Sequence, residues 1–125
     1  MSNFIFKETK IKDLYIIDTK VFSDKRGYFI ETYKREDFYN AGLDYNFVQD
    51  NQSSSRKGVL RGLHFQKEHS QAKLVRVLKG EVFDVAVDLR KNSNTYGQWI
   101  GVILSEDNKK QLMIPRGFAH GFLVM

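Results

Sequence analysis

Three histidines, His64, His69 and His120, are the side chains of this 125-residue sequence best suited to moving protons near neutrality, since an imidazole titrates at about 6.5. His64 lies in the stretch Gly58-Val59-Leu60-Arg61-Gly62-Leu63-His64-Phe65-Gln66, whose glycines let a ligand or a neighbouring backbone approach closely. His120 follows Pro115-Arg116-Gly117-Phe118-Ala119, a rigid turn that feeds a strand, and can line the same cavity as His64. His69, between Glu68 and Ser70 in a polar loop, reads as a surface residue. There is no cysteine, so thiolate nucleophiles, thiolate metal sites and disulfides are excluded.

The elements that must position these residues are mostly short strands, because β-branched and aromatic residues recur in runs bounded by turn residues. Strands are expected at 14–17, 28–33, 47–51, 59–65, 73–78, 82–89, 99–104, 111–114 and 121–124, with one short helix at 35–40 stopped by Gly42. So many strands at close spacing indicate an all-β sandwich or small barrel, with function inside it or at its mouth. In 82–89, Phe83, Val85, Val87 and Leu89 share one face and Asp84, Ala86 and Asp88 the other. The apolar face reads as core and the acidic face as solvent-facing, with a polar pocket lining as the alternative. Arg61 and His64 stand three positions apart, so a regular strand sends them to opposite faces. Either Gly62 supports a bulge or Arg61 reaches round the barrel mouth.

With 42% apolar and 28% charged residues, the chain has the balance of one ordinary globular domain. Its formal charge of +5 invites an anionic partner, but the Lys and Arg are scattered, which argues against duplex nucleic acid. No run of 18 apolar residues and no secretory leader is visible, so no membrane association and a cytoplasmic setting are expected. The end at Phe122-Leu123-Val124-Met125 falls in mid-strand, from which a chain lacking its C-terminal segment is expected.

Pro115-x-Gly117-x-x-His120 resembles the second motif of cupin barrels, whose histidines and glutamate usually hold a metal. In the first motif, Gln66 stands where a second histidine would follow His64, and Lys73 stands where the glutamate would be. An ammonium is no metal ligand while it keeps its proton, and it can stabilise a developing oxyanion in a low-dielectric pocket instead. Lys73 shares its strand face with Val75 and Val77, with Arg76 on the other, which points it inward. Neither a metal nor another cofactor is therefore expected.

Six stretches in order carry a closer resemblance over nearly the full chain. They are 24–31 (Asp-Lys-Arg-Gly-Tyr-Phe-Ile-Glu), 47–51, 58–64, 71–75, 80–90 and 115–122. Together they resemble the dTDP-4-dehydrorhamnose 3,5-epimerase family. The resemblance implies a cupin-type jelly-roll barrel of two antiparallel sheets. It implies His64 as the base that removes the C3 and C5 protons of a dTDP-linked 4-keto-6-deoxy sugar, Lys73 as the group holding the enolate oxygen, and Arg61 on the diphosphate. Gln49, Asn51 and His120 are implied to contact the sugar nucleotide, and Arg26 and Glu31 to do so across a homodimer with swapped N-terminal strands. The family's proton-returning tyrosine and its base-orienting aspartate follow the point where this chain stops, so neither role is assigned. Asp84 is a candidate substitute orienter of His64.

The product implied is a precursor of dTDP-L-rhamnose or a related deoxysugar for surface polysaccharide. Alternatives are a single-carbon epimerase or 3,4-ketoisomerase on the same scaffold, a metal-dependent cupin using His64, His69 and His120, and a non-catalytic sugar-binding module.

Overall fold

A computed structural model describes residues 2–68 and 70–125, so His69 lies outside the described residues. Ten strands and one helix follow in the order β1 (Phe4–Glu8), β2 (Tyr15–Thr19), β3 (Val21–Asp24), β4 (Gly27–Ile30), α1 (Arg35–Asn40), β5 (Leu60–His64), β6 (Lys73–Arg76), β7 (Glu81–Asp88), β8 (Trp99–Ser105), β9 (Gln111–Ile114) and β10 (Phe118–Val124). One four-stranded sheet runs β1-β2-β9-β6 and the other β5-β10-β7-β8, while among the described residues β3 and β4 pair only with each other. Every pairing is antiparallel, and the two larger sheets face each other as a jelly-roll barrel.

Alternation along β9 shows how the layers divide. Leu112 and Ile114 join Ile11, Leu14, Ala86, Leu104 and Phe118 in the core between the sheets. Met113, one residue out of phase, packs with Phe4, Ile17, Phe38 and Leu43 in a second core on the back of the first sheet. The helix α1 covers that second core through Phe38, which is fully buried and meets Phe4, Phe6 and Tyr33 edge-on. Burying such a ring stabilises the fold by about 1.5–3 kcal/mol. Glu36 and Asp37 sit in the helix's first turn, where the backbone dipole favours negative charge. The helix stops as expected: Gly42, at φ 88°, donates to the Tyr39 carbonyl and Leu43 to that of Phe38.

Three expectations need correction. No strand forms over 47–51; Phe47 packs instead against Tyr33 and Tyr45, Val48 is exposed, and no neighbouring strand offers this segment a ladder. Strands β1 and β3 lie outside the expected set; β1 is an edge strand that buries Phe4 while leaving Ile5 in solvent. The third concerns β7, where Asp84, Ala86 and Asp88 are fully buried while Phe83, Val85 and Val87 are only half-buried on the outside. The acidic face points inward because both carboxylates find partners there.

Asp88 accepts hydrogen bonds from Arg90 Nε at 3.0 Å and from Ser93 and Thr95. Arg90 also reaches Asp13 at 2.9 Å and the Lys12 carbonyl at 3.0 Å, so the ion pair ties the end of β7 to the β1–β2 loop of the facing sheet. Burial alone raises the Asp88 carboxyl, but the bonds from Arg90, Ser93 and Thr95 outweigh it and hold the group well below the usual carboxylate range. A depressed folded-state value gives stability that is present above the unfolded value of about 3.9 and is lost as pH falls further. Urea unfolding is therefore expected to give a constant free energy from pH 7 to about pH 5 and a decline below about pH 4. Asp88→Asn is expected to lose about 3 kcal/mol at pH 7 and to respond less to acid. An equal acid response in both proteins contradicts the assignment.

Candidate active site

The His64 imidazole and the Lys73 ammonium come from opposite walls of the barrel. Among the described residues β5 pairs only with β10, placing His64 across from His120 and Arg61 across from Phe122, with a register shift between them. Three steps along β5 therefore match two along β10. This bulge brings Arg61 and His64 to one face, the first of the two alternatives read from their spacing.

Gly62 makes the bulge possible. Its φ is 113°, and a Cβ there would lie 2.6 Å from the Gly121 Cα and 2.9 Å from the His120 carbonyl oxygen. A Cβ on Gly121 would in turn lie 2.7 Å from the Arg61 carbonyl oxygen. The backbones touch here, and neither can yield without moving a strand.

Lys73 starts β6 on the facing sheet. It pairs with Ile114, and Val75 with Leu112, so this side of β6 faces the inner core, as the alternation of Lys73 with Val75 predicts. His64 and Lys73 line one cavity of about 260 Å³, together with Phe65, Gln66, Gln71 and Phe118. Ser70 also borders it and accepts a 2.8 Å hydrogen bond from the Gly117 N–H, tying this loop to the turn before β10. An imidazole and an ammonium around one cavity are what proton abstraction next to a carbonyl requires: a base for the carbon acid and a positive charge for the oxygen.

His120 is 13% exposed and its Nε2 lies 2.7 Å from Asp84 Oδ1. The expectation that Asp84 orients His64 is thus corrected: its partner is His120, because the β7–β10 register sets Asp84 opposite Phe122 and next to His120 on the inner face. Arg61 donates through Nε to Ser55 Oγ at 2.7 Å. Gln49 and Asn51 bond each other at 3.2 Å in the segment before β5; neither lines the cavity, and nor do Arg61 and His120, so the expectation that His120 lines the same cavity as His64 is corrected: it stands across the strand pair from His64, turned to Asp84. Arg26 folds back on Asp24 at 2.7 Å in the β3–β4 turn and borders a separate cavity of about 340 Å³ with Phe22, Tyr28 and Phe29. Glu31 accepts a 3.4 Å bond from Asn3. Among the described residues no three His, Asp or Glu side chains converge as metal ligands, and the alternative triad includes the undescribed His69. No described helix is long and apolar enough to cross a membrane. Sequence reasoning missed the wall residues Phe65, Gln71 and Phe118, whose side-chain types carry no chemical signal.

The profile of the dTDP-4-dehydrorhamnose 3,5-epimerase family matches residues 8–125. The chain belongs to that family. It is 57% identical over its full length to dTDP-4-dehydrorhamnose 3,5-epimerase of Methanothermobacter thermautotrophicus, and spans 68% of that protein. To the Salmonella typhimurium epimerase it is 58% identical over 94% of the chain, covering 66% of the relative. Among solved structures, the Legionella pneumophila 3,5-epimerase in complex with dTDP-4-keto-L-rhamnose superposes with a TM-score of 0.94 at 54% identity, over 98% of this chain and 65% of the other. The chain thus spans about two thirds of the length of the relatives it matches. The family is one of isomerases, and the jelly roll with one short helix is the fold of this chain as its sequence implied.

Gly62→Ala is expected to destabilise this epimerase-family domain by about 1–3 kcal/mol, since a β-carbon meets only backbone there in a left-handed conformation. Thermal unfolding checks this, and an unperturbed variant contradicts the bulge.

Proposed function

We propose that the cavity between His64 and Lys73 takes a dTDP-linked 4-keto-6-deoxy sugar and that this chain inverts it at C3 and C5, turning dTDP-4-dehydro-6-deoxy-D-glucose into dTDP-4-dehydro-L-rhamnose. The observation that carries the reading is the imidazole and the ammonium lining one cavity from facing sheets. The Legionella relative, solved in complex with dTDP-4-keto-L-rhamnose, supports the choice of substrate.

The C4 ketone acidifies the hydrogens on both its neighbours. His64 takes a proton from C3 or C5, the C–H electron pair moves into the C–C bond, and the carbonyl π pair moves onto oxygen. The Lys73 ammonium stabilises that enolate oxygen, a contact stronger in the transition state than in the ground state. Return of a proton to the opposite face inverts the carbon. The general acid is not assigned to a residue of this chain. Arg61 presents its remaining N–H groups to the diphosphate, for which a planar fork is suited. His120, Gln49 and Asn51 complete the hold on the sugar nucleotide. We place the reaction in the cytoplasm, in the route to dTDP-rhamnose, within a single jelly-roll domain over residues 1–125.

The same reading includes a homodimer. The β3–β4 hairpin projects Phe22, Tyr28 and Phe29 into solvent with no partner strand among the described residues. The outer face of the second sheet exposes Leu60, Leu63 and Trp99 beside the half-buried Phe83 and Val85. A second copy covers both surfaces, and the swapped hairpin brings Arg26 and Glu31 to the neighbouring site. Sedimentation is expected to give a dimer that Leu60→Asp with Leu63→Asp converts to monomer; a monomeric parent chain removes this part of the reading.

Incubation with substrate in deuterium oxide tests the chemistry. Deuterium is expected at C3 and C5, with His64→Ala abolishing both exchanges and Lys73→Ala slowing them about 100- to 1,000-fold, while dTDP affinity is retained. Exchange at C3 alone makes the chain a single-carbon epimerase, migration of the ketone makes it a ketoisomerase, and unchanged exchange in His64→Ala overturns the assignment of the base.

A further inference from the structure

Strand β7 buries a second carboxylate for which the proposed chemistry has no use. Asp84 is fully buried, has Oδ1 2.7 Å from His120 Nε2, and leaves Oδ2 buried without a hydrogen-bond partner among the described residues. Such a group is a poor device for stability. A half-satisfied carboxylate in a core is more costly than the small apolar residue that β7 places two positions on, Ala86. A local sacrifice of this kind on an inner wall marks a site under functional constraint.

Its partner says what the constraint is. His120 stands directly across the strand pair from His64, where side chains on one face approach within about 5 Å at their β-carbons. An ionised carboxylate accepts and does not donate, and its hold on the ring then requires the hydrogen to sit on Nε2. Nδ1 is then the nitrogen that His120 offers beside His64, and its ring makes no second hydrogen bond among the described residues. A histidine whose tautomer and ring orientation are set by a buried carboxylate presents one defined polar atom to a ligand.

We infer that Asp84 is a positioning residue for the epimerisation: by holding His120 at Nε2 it fixes Nδ1 as the atom that orients the keto sugar beside His64. The inference rests on the keto-sugar reading of the cavity. Because Arg61 and the nucleotide are gripped elsewhere, loss of Asp84 is felt in turnover rather than in nucleotide binding.

Long-range proton–nitrogen spectra of the imidazoles in the unmutated chain provide the first test, and they need no variant to fold. Nε2 of His120 is expected to carry a proton; a bare Nε2 overturns the inference. Steady-state kinetics on the keto sugar provide the second. Asp84→Ala is expected to lower kcat roughly 10- to 100-fold, with the affinity for dTDP within about twofold of the parent. Asp84→Asn, whose amide oxygen still accepts from Nε2–H, is expected to restore most of the rate. Unchanged kcat in Asp84→Ala, or equal losses in kcat and dTDP affinity, overturns the positioning role. If the parent chain exchanges no deuterium at C3 or C5, the keto-sugar reading fails, while the spectra still decide whether Asp84 holds His120.

Discussion

The contact between Gly62 and Gly121 is the constraint on which the site depends, because β5 is an edge strand held in register, among the described residues, by β10 alone. A regular edge strand would alternate Arg61 and His64 across the sheet and leave one of them outside the barrel. The bulge removes that conflict, and it fits only because neither strand carries a side chain where the backbones meet. From this one approach follow the common face of Arg61 and His64, the placement of His64 opposite His120, and the cavity shared with Lys73 on the far wall. A site with one of its imidazoles on the less supported strand needs that strand's path fixed by sterics, since a single ladder fixes it weakly.

Polar groups inside the barrel divide into two kinds along one strand. Asp88, at the end of β7, has its carboxylate saturated by Arg90, Ser93 and Thr95, and the guanidinium stacks on Phe118 at 4.9 Å. Everything about it is structural: it joins the sheets and closes that part of the barrel. Asp84, four residues earlier, has one oxygen committed to His120 and the other idle. Both are equally buried, so burial does not separate the roles; the degree of hydrogen-bond satisfaction does.

Much of this is legible in the residues, and what escapes does so for physical reasons. Alternation in phase with Val75 turns Lys73 inward, and Gly42 bounds α1 at its stop; both signals are local and the structure carries both. Periodicity separates the two faces of β7 correctly but leaves the choice of inner face open, and the apolar side is the wrong choice. Which face lies inside depends on partners from β10 and the Arg90 loop, set by pairing rather than by neighbours in sequence. The same dependence on pairing gives Asp84 to His120 instead of His64. Gln49, Asn51, Arg26 and Glu31 carry types suited to a sugar nucleotide, yet their contacts within the chain are with Asn51, Gln49, Asp24 and Asn3. No local pattern encodes where such exposed groups reach.

On the proposed reading, the economy of the site follows from the substrate. C3 and C5 flank the same ketone, so a single cation at the C4 oxygen serves both deprotonations, and one ammonium on β6 is sufficient electrophile. A single base serves both carbons only if the sugar ring changes its presentation to His64 between the two steps while the oxygen stays with Lys73. The nucleotide must therefore be anchored apart from the ring, by groups such as Arg61 outside the cavity's floor. The ring itself must be held by contacts that are directional without being strong. An imidazole whose ring a buried carboxylate holds in place meets that requirement through one directed nitrogen.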